Sequence, residues 1–426
     1  MAKGKNKINH AKADEIRRRE QRNKFFDKLE RLCFDITNDP KIYKLIPKGD
    51  FDFLITIFGK GIRVKAGEGQ VVPPEMIQDT KQLIPELFRM QKLPIIPGGR
   101  MMDLYDFLTV GYALLLYDGR LKEGSREDFP GAKSIIKALE PYSNFTERYE
   151  EAFGHFINLL YTISFMNSDM TTRVYLVKYE SMSLSREKTP TGFTIDIYCQ
   201  PAEKIHVTID GTVRPAFRSG WLLPVVDKFI EWTSIKAETF PFKHKYGNKS
   251  FDVYVQSHAF ERLSERIDCT QLGILHLQLF LSLKTPKIIK GMNGSLLIEM
   301  RASEKKVGYL VGEIIEDKII IKTFLFLTHY GTPEGDKLRN STGLLKEDQI
   351  YLEMDKLSTF ILTDLKDDQR LRKIFTDAGC GSLFEAAHIA IVDTPDQKEK
   401  SIATYIKKYL GLKDEDVNAD EGDMID

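Results

Sequence analysis

His258, Arg262 and Arg266 recur at intervals of four in the segment Ser257-His258-Ala259-Phe260-Glu261-Arg262-Leu263-Ser264-Glu265-Arg266-Ile267. On an α-helix that spacing keeps all three within an arc of about 80°. Ala259, Leu263 and Ile267 form a parallel apolar stripe suited to packing on a sheet. An imidazole exchanges protons near neutral pH, and a guanidinium offers a fork of donors matched to phosphate oxygens. Metal-free RNA cleavage needs both kinds of group. A base activates the 2′-hydroxyl, an acid protonates the 5′-oxygen, and cations stabilise the charge growing on phosphate. His258 is therefore the candidate acid/base, with Arg262, Arg266 and Lys322 on the phosphate. Thr323, Thr328 and His329 lie close to Lys322 in sequence and are candidates to converge there. The plainer alternative for the same residues is an exposed salt-bridged face made with Glu261 and Glu265, worth little energetically.

A second basic group, Arg17, Arg18, Arg19 and Arg22, sits in an N-terminal stretch, 1–24, that carries nine Lys/Arg against three acidic residues. It is a candidate phosphate-binding arm, or equally a solvated terminus. Phe25, Phe26, Leu29 and Leu32 follow with helical spacing, so the arm (1–30) is expected to start irregular, turn helical near Ala11 and dock by its second half.

The elements around these residues read as an α+β, multi-domain chain. Residues 31–170 are mainly helical, with helices expected at 75–91, 103–117, 131–140 and 146–166. Residues 50–74 are strand-like and punctuated by glycine. The segment 171–245 is β-rich, with strands at 174–179, 193–199, 205–209 and 212–215, a turn at Asp210-Gly211, and one helix at 224–235. The segment 250–330 reads α-α-β-β-β: helices at 258–267 and 271–283, capped by Ser257 and Thr270, then strands at 296–301, 306–315 and 318–328 with a turn at Glu316-Asp317. Residues 333–412 form a helical C-terminal part, amphipathic over 333–377, and 413–426 an acidic tail expected to be disordered.

The motif His258-Ala259-x-x-Arg262-x-x-Glu265-Arg266, followed by three strands, resembles the small RelE/ParE-like toxin domains of the barnase–EndoU–RelE fold group. Lys322-Thr323-Phe324-Leu325 is similar to the strand that closes such sites. The resemblance covers 250–330, about a fifth of the chain. It implies an RNA partner and RNA cleavage at these positions. The chain departs from the pattern in being long and neutral overall, where such toxins are short and basic.

Composition sets the outer bounds. The chain has 426 residues, 42% of them hydrophobic, and 62 basic against 62 acidic side chains, an ordinary globular balance. Cys33, Cys199, Cys269 and Cys380 are too scattered for a zinc knuckle or a disulfide framework. No secretory leader or bilayer-spanning run is read, which points to a cytoplasmic protein, or one carried inside a virion if phage-encoded. No cofactor and no metal site is implied. Asp35, Asp39, Asp50 and Asp52 lack ligand spacing, and Cys380 with His388 reads better as a buried thiol than as a nucleophile pair. Walker A, HExxH and GxSxG sequences are absent. The alternative function is a non-enzymatic structural or interaction protein, such as a phage or mobile-element component, whose basic arm and acidic tail contact nucleic acid or protein partners.

Overall fold

The first helix, α1 (Ala2–Thr37), is helical from its second residue rather than from Ala11. Phe25, Leu29, Leu32, Cys33 and Ile36 make a buried stripe at helical spacing, so the second half docks as expected. The computed structural model describes residues 2–58, 61–124, 129–180, 193–209, 211–222, 230–291, 294–386 and 402–412; side chains 1–14, 17, 56–58 and 180 lie outside the description. The chain forms two units, Met1–Asn167 with Tyr175–Gln200, and Ser168–Val174 with Pro201–Asp426.

In the first unit α1 is followed by α2 (Lys41–Lys44), α3 (Lys48–Phe58), β1 (Arg63–Ala66), α4 (Pro74–Met90) and the hairpin β2 (Lys92–Pro94) and β3 (Met101–Asp103). Next come α5 (Leu104–Asp106), a π-helical turn over Phe107–Gly111, α6 (Tyr112–Lys122), α7 (Ala132–Ser143) and α8 (Thr146–Asn167). The expected helices at 75–91, 103–117, 131–140 and 146–166 are therefore present. The strand-like reading of 50–74 is corrected. Phe51, Phe53, Leu54 and Ile55 belong to α3, and among the described residues of this stretch only 63–66 is a strand. The strand β1 pairs in parallel with β5 (Thr194–Pro201), in a three-stranded sheet ordered β1-β5-β4, where β4 is Arg173–Glu180.

The second unit is built on one eight-stranded sheet. Its strands are β6 (Lys204–Ile209), β7 (Thr212–Arg218), β10 (Ser234–Lys236), β11 (Ser250–Gln256), β12 (Ile288–Lys290), β13 (Leu296–Ala302), β14 (Lys305–Ile315) and β15 (Lys318–Phe326). The order is β12-β13-β14-β15-β11-β7-β6, with β10 also paired to β11. A separate hairpin joins β8 (Gly220–Leu222) to β9 (Ile230–Trp232). The helix expected at 224–235 is corrected over its described part, since 230–232 and 234–236 are strands; Asp210 and 223–229 lie outside the described residues. The β-rich segment and the α-α-β-β-β segment share this sheet, because Phe217 of β7 is in register with Val255 of β11 and Ile319 of β15 with Val253.

Between β11 and β12 run α9 (Ser257–Arg266) and α10 (Leu272–Lys284). Neither starts on the expected cap. The N-cap positions are Gln256 and Gln271, without side-chain caps. The expected single amphipathic helix over 333–377 is four: α11 (Pro333–Thr342), α12 (Lys346–Tyr351), α13 (Leu357–Leu362) and α14 (Gln369–Asp377). Gly343, at φ 73°, ends the first in the left-handed conformation that glycine tolerates. The last described helix is α15 (Ile402–Tyr409). His388 and the acidic tail at 413–426 lie outside the described residues.

Candidate functional site

The apolar stripe of α9 does what its spacing implies: Ala259, Leu263 and Ile267 are each 1% exposed. The basic stripe consequently faces away from the core, and each member meets a carboxylate. Nδ1 of His258 lies 3.8 Å from Glu261, one turn along the same helix. Arg262 donates to Glu265 at 2.7 Å, again along α9. Arg266 is different in kind, for it pairs with Asp355, far away in sequence, and both are largely withdrawn from solvent. That pair stands in a set of bonds fastening the 343–358 segment to the end of the sheet. Gln349 donates its amide to the Thr328 carbonyl at 2.9 Å, the Thr328 hydroxyl donates to the Met354 carbonyl at 2.7 Å, and Asp268 accepts from the Ser358 amide and hydroxyl.

Lys322 is not drawn into the α9 stripe by any bond it makes; it donates to Glu313 of the neighbouring strand at 2.7 Å. It is also the extra residue of a β-bulge, since Val311 is in register with Thr323 but Gly312 with Ile321. His329 does come near the arginines. Burial first, then the positive charges of Arg266, Lys346 and Arg262, hold its pKa below the usual histidine range. Its turn is fixed by Thr332, whose hydroxyl donates to the Leu327 and His329 carbonyls while accepting the Gly335 amide. A Cβ on Gly335 would run into the His329 carbonyl, so glycine is required where α11 folds back on this turn.

At the N-terminus, residues 18–24 are exposed at every position, about two turns of α1. Among the described residues Arg18 and Arg19 have no ion pair, whereas Arg22 reaches Asp52 at 2.9 Å and lies over the Phe26 ring. The side chain of Arg17 is outside the described set.

The other candidates take structural roles. Asp50 accepts from the Tyr117 hydroxyl at 2.8 Å, and Asp35 pairs with Arg100 at 2.6 Å. No cluster of three or more metal-ligating side chains occurs among the described residues. Burial pushes the Cys380 thiol up to about 12, with the charge of Glu334 adding to the effect, so it is not a thiolate at neutral pH.

Sequence reasoning missed His276, on α10. It is 1% exposed, and its Nδ1 accepts the Met170 amide at 3.2 Å. The only signal was a lone histidine in the apolar run Leu272–Leu283. Burial lowers its pKa from the usual 6.5 to about 4, against a smaller upward pull from Asp169. Its folded pKa lies below its unfolded one, so the unfolded chain binds this proton first. The neutral imidazole's contribution is complete above pH 6.5 and is lost as pH falls from 6.5 to 4. The loss amounts to about 3 kcal/mol in all. Urea midpoints at pH 7 and pH 4.5 check this. The drop in stability on acidification should be clearly larger in the wild type than in a His276→Gln variant.

No helix among the described residues is long and apolar enough to cross a membrane. No protein-family model, no curated protein and no solved structure matches this chain.

Proposed function

We propose that this protein binds nucleic acid, with RNA the partner its α9 motif implies, through the arginines at 17–22 of α1, and that the α9 cations serve the fold rather than a cleavage reaction. The observation that carries the reading is a contrast in pairing. Among the described residues Arg18 and Arg19 have no ion pair and stand on a stretch of α1 exposed at every position, while His258, Arg262, Arg266 and Lys322 each have a carboxylate neighbour. An arm of this kind reads phosphate and not base identity. Converting Arg17, Arg18, Arg19 and Arg22 to alanine retains the best helix former at each position, so α1 persists while its charge goes. Affinity for a single-stranded RNA should then fall at least tenfold at low salt, by about the same factor for unrelated sequences. Fluorescence anisotropy of labelled oligonucleotides measures this, and an unchanged affinity would remove the arm from the account.

One observation favours a second reading, cleavage at α9. His329 lies near Arg262 and Arg266 and titrates below the usual range, as a neutral acid/base beside two phosphate-binding cations would. On that reading the pure protein degrades RNA without metal, and either His258→Ala or His329→Ala abolishes the degradation. Degradation that survives both substitutions, or none at any concentration of wild type, rejects it.

A further inference from the structure

On the flank of α9 opposite the basic stripe lies a groove of about 480 Å³, bounded by α9, α10, the end of β7 and the turn at 169–171. Its wall is mainly apolar, from Phe217, Phe260 and Leu272, and Asp169, Glu261 and Glu265 add carboxylates. The 100° step of the helix explains the separation: positions 257, 261 and 264 fall on one side, and 258, 262 and 266 on the other. Glu261 and Glu265 stand at the border of the two flanks, where they also meet His258 and Arg262, and Asp169 adds a third carboxylate on the groove side.

His276 forms part of the same lining. Because Nδ1 accepts the Met170 amide, the ring proton of the neutral imidazole sits on Nε2. Nε2 is buried and has no hydrogen-bond partner in the protein. A buried N–H left without an acceptor is costly. Phe260 holds the ring in place, edge to face with centroids 4.7 Å apart. The groove thus combines one fixed donor, an apolar wall and anionic groups.

The geometry points to this groove as a binding site for a basic peptide segment, in which a backbone carbonyl accepts from Nε2 of His276 and a lysine or arginine side chain lies along Phe260 toward Glu261 and Glu265. A nucleic acid does not suit it, since phosphates would face the carboxylates. A free amine such as a polyamine brings the charge but no carbonyl. A peptide supplies both, and the alkyl stem of its cationic residue covers apolar wall. The inference is independent of the nucleic-acid reading, which uses the arm.

The test uses the full-length protein and the blocked peptide acetyl-Arg-Gly-Arg-amide as probe. Titration followed by ¹⁵N NMR should shift the His276 Nε2–H resonance saturably, with the tautomer unchanged. The double variant Glu261→Gln, Glu265→Gln lies on the surface and should fold as the wild type does. It should bind the probe about tenfold more weakly. Spermidine should fail to move the His276 resonance. An Nε2–H signal that stays put at saturating probe, or that spermidine shifts equally, would overturn the proposal, as would equal affinity in the double variant. His276→Phe removes the donor while retaining a ring, and where it folds it should also lose the probe.

Discussion

Replacing Arg148 with alanine is expected to lower the stability of the first unit by about 4 kcal/mol. Arg148, on α8, is fully buried, yet no carboxylate pairs with it among the described residues. Its guanidinium donates to the Ile95 carbonyl and, at 2.7 Å, to that of Tyr142. The rings of Tyr142, Tyr149, Phe107 and Phe145 surround it, with centroids 3.9, 5.1, 5.3 and 5.4 Å from its central carbon. A buried cation without an anion is ordinarily expensive. Here the negative faces of the rings and two carbonyl dipoles replace water. Alanine would open a cavity and orphan both carbonyls. Lysine should recover only part of the loss, because one ammonium on a flexible stem does not reproduce a planar fork donating to two carbonyls at once. Urea unfolding of the full chain, followed by aromatic fluorescence, checks the order wild type, then Lys, then Ala. A loss below about 1 kcal/mol for alanine would mean that the cage is not what holds α8.

The second large effect concerns Arg266. Asp355→Ala should destabilise the second unit by about 3 kcal/mol, because it leaves a largely withdrawn guanidinium without this partner. The double replacement Arg266→Met, Asp355→Leu should restore most of that loss, since apolar residues of similar volume commonly replace a buried ion pair at little cost. The same double variant bears on function. If Arg266 holds the 343–358 segment and does not touch RNA, affinity for RNA will match that of the wild type. A parallel loss of RNA affinity with preserved folding would return Arg266 to the phosphate.

Much of this architecture was legible from local pattern. The helices at 75–91, 131–140 and 146–166 carry enough turns for a periodic apolar face to stand out, and β6 alternates. The misreadings share a physical origin. Helix α3 is rich in aromatic and β-branched residues, which favour strands, although Lys48 and Asp52 mark an exposed face. The strands β9 and β10 are three residues each, too short to show a period of two, and they exist by pairing with β8 and β11. Long-range pairing also explains why no boundary falls at 245–250, where β10 and β11 are neighbours in one sheet. At the candidate site, the spacing of His258, Arg262 and Arg266 was enough to put them on one helical face. It was silent on Asp355, whose approach to Arg266 depends on how the segment after α11 returns to the sheet. His276 was hidden for a similar reason: its partner Met170 precedes it by 106 residues, and nothing local distinguishes it from a core histidine.

The salt dependence of binding reads the charge at positions 17–22 of α1 directly. For single-stranded RNA the slope of log K against log salt is about −0.7 for each phosphate neutralised. Converting Arg17, Arg18, Arg19 and Arg22 to alanine should therefore make the slope shallower by about 3. A slope identical in the two proteins would contradict an arm that neutralises phosphate and would place the contacts elsewhere on the molecule.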